Sequence, residues 1–323
     1  MEMARRTIGT TSVLLVFSLV SIAAAAKEIT LGFVAAGMQY PFNVAAARGF
    51  QDEARKLGAK SVVLDAKGSV EKQGNAIDDL ITQKTDGIAS ILIDSVVAQS
   101  WVDRAAQNNV NFVATAVQVG DPDKVPLKQV YPKLTALVAD DDVLAGDLAG
   151  EFSATLLSKG RTAQIGIVEG APGYAVVKQR DQGFEQGLRK MGVKYRIVGS
   201  QPTDWTAEKG EAVCQNMLAA HPDVDLFFAQ YDDLALGCLN AIRSAGSKAK
   251  VVTTSGGSRR GIEAIKSGDL AGAICSKPET MGRLSAKALY GAITNKDAPK
   301  AQFVTYKRIV VTKDNLSECP PEF

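Results

Sequence analysis

The residue types best suited to making and breaking bonds are scarce in this chain, and that scarcity narrows its chemistry. Its 323 residues include a single histidine, His221, in Ala220-His221-Pro222. A Ser-His-Asp system would have to recruit this ring, and a His-Pro turn places it on a solvated loop. A zinc site needs several Cys and His at close spacing, and the sequence offers none. No Walker-type phosphate loop and no Gly-x-Ser-x-Gly elbow occurs. Only Ser255-Gly256-Gly257-Ser258-Arg259-Arg260-Gly261 resembles an anion cradle at a helix start, and a glycine-rich turn is more often just a turn. An enzyme is therefore poorly supported, and neither a cofactor nor a metal is expected.

The four cysteines, Cys214, Cys238, Cys275 and Cys319, acquire meaning from the first 26 residues. Arg5 and Arg6 precede the apolar run from Val13 to Val20, and the small-residue stretch Ala23-Ala24-Ala25-Ala26 follows. That order is the order of a secretory signal peptide, with cleavage predicted between Ala26 and Lys27. The apolar run is well short of the ~20 residues that a spanning helix needs. Export to an oxidising compartment makes disulfides expected. Four Cys allow three pairings. Cys214–Cys238 is favoured because both lie on helices flanking one short strand, leaving Cys275–Cys319 to tie down the tail. Four buried free thiols are the alternative.

The mature chain of about 297 residues suits two domains of ~100–150 residues. The net charge of +2 falls to +1 once Arg5, Arg6 and Glu2 are removed. Such a balance supports neither a nucleic-acid footprint nor an electrostatic membrane surface.

Positioning comes from alternation. Short apolar runs at Ile29–Val34, Ser61–Leu64, Gly87–Ile93 and Asn111–Thr115 read as strands separated by helices. A second series starts after Asp140-Asp141-Asp142, with strands at Ala163–Val168, Tyr195–Val198, Asp225–Ala229 and Lys250–Thr253, ending near Ile274. The fold class is α/β, with two doubly wound parallel sheets. In such sheets ligands sit beyond the carboxyl ends of the strands. The informative stretches are therefore Met38–Asn43, Ile91–Ser95, Ala116–Gln118, Gly170–Arg180, Thr203–Trp205, Gln230–Asp233, Ser255–Gly257 and Ser276.

Four words in these stretches carry a family resemblance: Tyr40-Pro41-Phe42, Arg180-Asp181-Gln182-Gly183-Phe184, Gln201-Pro202-Thr203-Asp204-Trp205, and His221 through Gly237. From about Ile29 to Val311 the chain resembles the ribose-type periplasmic sugar-binding proteins of ABC importers. Regulators related to the lac repressor share that fold but carry an N-terminal DNA-binding helix pair where this chain has a leader. The resemblance implies the periplasmic binding protein type I fold, with two lobes joined by a three-crossing hinge near Ala139-Asp140, near Ser276-Lys277 and between Thr305 and Lys307. The expected division is a leader at 1–26, one lobe from 27–139 plus 277–305, and the other from 140–276 plus 306–323. It also implies hinge closure on a small ligand in the periplasm and delivery to an inner-membrane permease by a monomer, with no nucleic acid as partner. Docking onto a membrane histidine kinase or chemoreceptor is the alternative.

Carried over by position, the resemblance implies a ligand set of Tyr40, Phe42, Asn43, Ile91, Gln118, Arg180, Trp205, Tyr231, Asp232, Ser255 and Ser276. Phe42 and Trp205 stand where the family stacks aromatics on a sugar face, whose C–H side is apolar. Arg180 stands where it grips sugar oxygens with a planar fork. The departures are substantial. Ala116-Val117 replaces an Asp-Arg pair, Ser255 an Asp, Ser276 a Gln, Ile91 an Asn, and Tyr231 the Asn before Asp232. Ordinary ribose binding is therefore not expected. Arg180 keeps its place while two family carboxylates are missing, and a desolvated charge needs a partner. Asp232 or Asp94 would supply it, or else the ligand is anionic. A neutral sugar or polyol is the first expectation and a sugar acid the second.

Overall fold

The computed structural model describes residues 28–323; the leader lies outside the described residues. The alternation of apolar runs resolves into two six-stranded sheets. The first is built from β1 (Thr30–Ala35), β2 (Lys60–Asp65), β3 (Gly87–Ile91), β4 (Asn111–Thr115) and β5 (Ala136–Val138), with the late strand β11 (Gln302–Val304). Its order is β11-β5-β4-β3-β1-β2 and every pairing is parallel. The second contains β6 (Ala163–Val168), β7 (Tyr195–Gln201), β8 (Leu226–Ala229), β9 (Lys250–Gly256), β10 (Gly272–Cys275) and β12 (Val310–Val311), in the order β12-β10-β9-β8-β6-β7. Here β12 is antiparallel to β10. Central strands are buried on both faces, as parallel sheets covered by helices require: β3 and β8 are buried along their whole length.

The chain passes from the first sheet to the second after β5, returns after β10, and passes again between β11 and β12. Helix α1 (Pro41–Lys56) starts beyond β1, α2 (Val70–Thr82) and α3 (Ala98–Gln107) follow, and α4 (Asp142–Leu156) starts the second half. Then come α5 (Ala175–Lys190), α6 (Ala207–Ala220), α7 (Asp232–Ala245), α8 (Arg259–Ser267) and α9 (Pro278–Thr294). Helix α9 belongs with the first half, where it packs on α1. No helix among the described residues is long and apolar enough to cross a membrane.

Start signals explain several helix registers. Pro41 and Pro278 occupy first-turn positions, where a missing N–H costs nothing. Ser69, Asp141, Thr206 and Ser258 each cap a helix with a side-chain oxygen. Both disulfides of the sequence reading are drawn: Cys214–Cys238 joins α6 to α7, and Cys275–Cys319 joins the end of β10 to the tail, with Cα separations of 5.3 and 6.0 Å.

The α4/α5 contact is the one that matters most for the site. A Cβ on Gly183 of α5 would lie 2.0 Å from the Val143 carbonyl oxygen of α4, and one on Gly146 would lie 2.2 Å from the Arg180 carbonyl oxygen. Backbones this close leave no room for a side chain. Gly183→Ala is expected to destabilise the protein by roughly 1–3 kcal/mol through forced helix separation, read as a fall in melting temperature. An unchanged melting temperature would mean that the helices part at no cost.

Candidate functional site

The carboxyl ends of the two sheets face one another across a cavity of ≈ 80 Å³. That is tight beside the ~300–1,000 Å³ of sites for drug-sized molecules and suits one small ring. One half contributes Tyr40, Phe42 and Asn43 at the start of α1, Ile91 at the end of β3, Ala116 and Val117 beyond β4, and Met281 of α9. The other contributes Tyr174, Val176 and Arg180 around the start of α5, with Trp205, Tyr231 and Ser255. Asp140, at the first passage between sheets, completes the wall.

Arg180 is the buried centre of this arrangement, 7 % exposed. Its Nε donates to Asp142 Oδ1 at 2.7 Å and its Nη1 to the Gln230 carbonyl at 2.7 Å. The guanidinium carbon lies 6.0 Å from the Trp205 ring centroid, within cation–π range. Asp142 is held at the first turn of α4, where its negative charge also suits the helix dipole. Burial raises its carboxyl above the usual range and Arg180 pulls it back. A second buried pair joins Arg308 to Asp140; Arg308 Nη2 also donates to the Thr254 carbonyl at 2.6 Å, and Ser276 Oγ donates to Asp140 Oδ2 at 3.1 Å. Both cations of the site are thus neutralised inside the protein. Asp140 Oδ1 and Asp142 Oδ2 are left without partners.

The aromatic wall is built around strain. Trp205 has φ +69°, and Ala116, also on the wall, has φ +65°. A left-handed backbone is costly for a bulky residue and persists where its surroundings impose it. Trp205 N–H donates to Thr203 Oγ1 at 3.1 Å, while the Thr203 hydroxyl donates to the Glu169 carbonyl at 2.7 Å. The indole then lies across Gly170, where any Cβ would sit 1.7 Å from the ring. Tyr174 and Tyr231 meet the indole edge-on, at centroid distances of 5.6 and 6.2 Å. Burial pushes both phenols well above their ordinary range, so they stay protonated donors at neutral pH.

Gln230 organises this half of the site from beneath. Its Oε1 accepts from Gly170 N–H at 3.1 Å, and its Nε2 donates to the Val177 carbonyl at 3.0 Å and to Asp181 Oδ1 at 2.7 Å. Burial carries the Asp181 carboxyl up to about 7 despite that bond. On the other half Asn43 Oδ1 accepts from Ala36 N–H at 3.0 Å, fixing the start of α1 against the end of β1. The halves also touch across the mouth. Gln179 Nε2 donates to Gln118 Oε1, Lys178 pairs with Asp123, and Tyr40 OH donates to the Asp204 carbonyl at 3.3 Å.

Of the expected ligand set, Tyr40, Phe42, Asn43, Ile91, Arg180, Trp205, Tyr231 and Ser255 line the cavity. Gln118, Asp232 and Ser276 do not. Gln118 spends its amide on Gln179 and the Val125 carbonyl, Ser276 binds Asp140, and Asp232 accepts from Ser258 N–H at 2.9 Å and Ser258 Oγ–H at 2.6 Å. The expected partners of Arg180 also need correction: Asp94 caps the backbone of Val96 and Val97, Asp232 serves Ser258, and Asp142 supplies the charge. Asp140, Tyr174, Val176 and Met281 line the cavity from outside the expected set, as do Ala116 and Val117, which the sequence marks only as departures from the family. Tyr174 lies in a strand-end stretch that the sequence had singled out, whereas Met281 comes from a helix that the strand pattern does not announce. Among the described residues no cluster of His, Cys, Asp and Glu could hold a metal.

Asp232 offers a pH test. Burial raises its carboxyl to about 7, against the hydrogen bonds from Ser258 and the backbone. Unfolded, it titrates near 3.8. The folded state therefore holds the extra proton between those values, and this group's contribution to stability is full below pH 4 and lost as pH rises toward 7. Asp232→Asn is expected to flatten that part of the melting-temperature profile. A profile of the same slope would assign the dependence elsewhere.

With this geometry in place, comparison with known proteins is decisive. The profile of the periplasmic binding protein domain matches residues 31–297. The chain belongs to the periplasmic binding protein family. It is 31% identical over 279 residues to the ribose import binding protein RbsB of Bacillus subtilis strain 168, covering 85% of each chain. Against RbsB of Escherichia coli K12 the identity is 33% over 263 residues, covering 81% of this chain and 84% of that one. A solute-binding protein from Bacillus halodurans, solved with bound myo-inositol, superposes with a TM-score of 0.82 over 93% of this chain and all of its own, at 18% identity. That likeness is one of fold. The family is one of substrate-binding proteins.

Proposed function

We propose that this chain is the substrate-binding component of an ABC importer, capturing an uncharged sugar or polyol ring between its two halves and handing it to an inner-membrane permease. The observation that carries the reading is the Arg180–Asp142 pair beneath a wall of Phe42, Tyr174, Trp205 and Tyr231. With the guanidinium already paired with Asp142, a ligand carboxylate has no unanswered charge to meet, which favours a neutral ligand over a sugar acid. Arg180, Asn43, Ser255 and the Tyr174 and Tyr231 phenols supply hydrogen bonds, and the rings supply an apolar face for C–H groups. The three passages between sheets act as the hinge dividing residues 27–139 with 277–305 from 140–276 with 306–323. Ligand contacts from both sides favour the closed arrangement through their differential affinity. The leader directs a monomer to the periplasm.

Isothermal titration against D-ribose, D-allose, myo-inositol, other neutral sugars and polyols, and matched sugar acids tests this. Saturable heat is expected from a neutral member only. Tight binding of a sugar acid alone would restore the anionic reading, and heat from none of them would remove the carbohydrate assignment.

A further inference from the structure

The tail beyond β12 makes a set of contacts that the three passages between sheets do not account for. It is fixed to the second half at Cys319, through the disulfide to Cys275. Two prolines, Pro320 and Pro321, follow and restrict the backbone to extended conformations. Glu322 then reaches the first half. Its carboxylate accepts from Thr280 N–H at 3.0 Å and from Thr280 Oγ–H at 2.6 Å, in the first turn of α9. That helix start has no cap from its own Lys277, so a carboxylate from elsewhere answers one of its unpaired donors and its dipole. Arg48 of α1 donates to the Glu322 carbonyl at 2.6 Å. The next residue turns back: the Phe323 oxygen accepts from Arg259 N–H of α8 at 2.8 Å. Its ring stacks on Tyr231 at 6.3 Å and meets Phe42 edge-on at 6.0 Å. Those two rings belong to opposite halves, and both line the cavity.

We propose that residues 319–323 form a strap across the cleft that favours its closed arrangement and positions Phe42 and Tyr231 for the ligand, with the Cys275–Cys319 disulfide anchoring it. Separating the halves must break either the Glu322 contacts with α1 and α9 or the Phe323 contacts with α8 and Tyr231, because Glu322 and Phe323 are adjacent and the two prolines leave little slack between Glu322 and the anchored Cys319. Glu322 and Phe323 are thus positioning residues that act through Thr280, Phe42 and Tyr231. The strap rests on the hinge reading above and adds a fourth link to it.

Pulsed electron paramagnetic resonance, with a genetically encoded spin label on each half and no added ligand, tests the strap on the full chain. The doubly substituted Glu322→Ala/Phe323→Ala protein is expected to raise the ratio of wide to narrow inter-half distances by about tenfold, one charge-assisted hydrogen bond's worth. Cys275→Ser/Cys319→Ser should move the ratio in the same direction, while Cys214→Ser/Cys238→Ser leaves it unchanged. Melting curves would establish that each variant folds. If the parent and the tail variants share the same two populations, the hinge stands and the strap falls. If every protein shows one identical narrow population, the strap falls and hinge closure loses its support as well.

Discussion

Cutting Asp142 back to alanine is expected to cost roughly 3–5 kcal/mol of stability, because it leaves the Arg180 guanidinium buried without its counter-charge. The pair is held at 2.7 Å with Asp142 1 % and Arg180 8 % exposed at the side chain. Water cannot easily take the place of the missing carboxylate. The Gln230 carbonyl that holds Nη1 is one dipole against a full charge. Replacing both partners, as Asp142→Leu/Arg180→Met, removes the charge as well as its answer and is expected to recover most of that loss. Affinity for a neutral sugar should not recover, since Arg180 lines the cavity and the methionine donates nothing. Thermal denaturation and titration calorimetry on the single and double variants separate the effects. A double variant as unstable as Asp142→Ala would show that the charge balance is not what holds α4 to α5 here, and wild-type affinity in the double variant would take Arg180 out of recognition.

Trp205→Ala should separate binding from folding in the opposite sense. Removing the indole strips the cavity of the ring that both Tyr174 and Tyr231 meet edge-on. Lost aromatic burial against a ligand is worth roughly 1–3 kcal/mol, or about 5- to 150-fold in affinity. The stability effect should be smaller than for an ordinary buried tryptophan. The residue holds φ +69°, and alanine at that position carries less crowding into the left-handed region. Calorimetric titration with the best neutral ligand gives the affinity and a melting curve the stability. Undiminished affinity in this variant would place the indole outside the binding surface.

The legible part of the fold was the part governed by periodicity. Strands β1 to β4 and β6 to β9 announce themselves because each is a run of apolar residues bounded by helices, and a strand buried on both faces has no alternation to obscure it. β10 shows only as the end of the second series near Ile274, and the three strands with no sequence signal have three residues in β5, three in β11 and two in β12. Segments so short carry no period, and only their neighbours in the sheet define them. Helix α9 lies beyond Ile274, where the second series ends in the sequence, and α8 shows there only as a helix start after the glycine-rich turn at Ser255–Gly261.

The site divides along a similar line. Position relative to a strand end found Phe42, Ile91, Trp205 and Ser255, because backbone topology alone carries such residues to the cleft. It did not reveal where each side chain spends its hydrogen bonds. Asp232 follows β8 as a ligand residue would, but it turns toward Ser258 and packs so tightly that a Cβ on Gly261 would lie 2.2 Å from its Oδ2. Asp142 was read only as part of an acidic run. Its pairing with Arg180 depends on α4 and α5 touching backbone to backbone, which Gly146 and Gly150 of α4 and Gly183 and Gly187 of α5 permit, and that fit becomes visible only in three dimensions.

The seating of the indole over Gly170 also equips the protein with an optical reporter. The sequence holds two tryptophans. Trp101 is enclosed on α3 at 4 % exposure and is not part of the cavity wall, so its emission has no reason to change when the cavity fills. Trp205 faces the cavity beside a guanidinium, a setting in which exchanging water for a guest alters both the colour and the yield of its fluorescence. A Trp101→Phe protein would carry one chromophore at the place where occupancy is decided, and unlabelled candidate compounds could be screened by watching it.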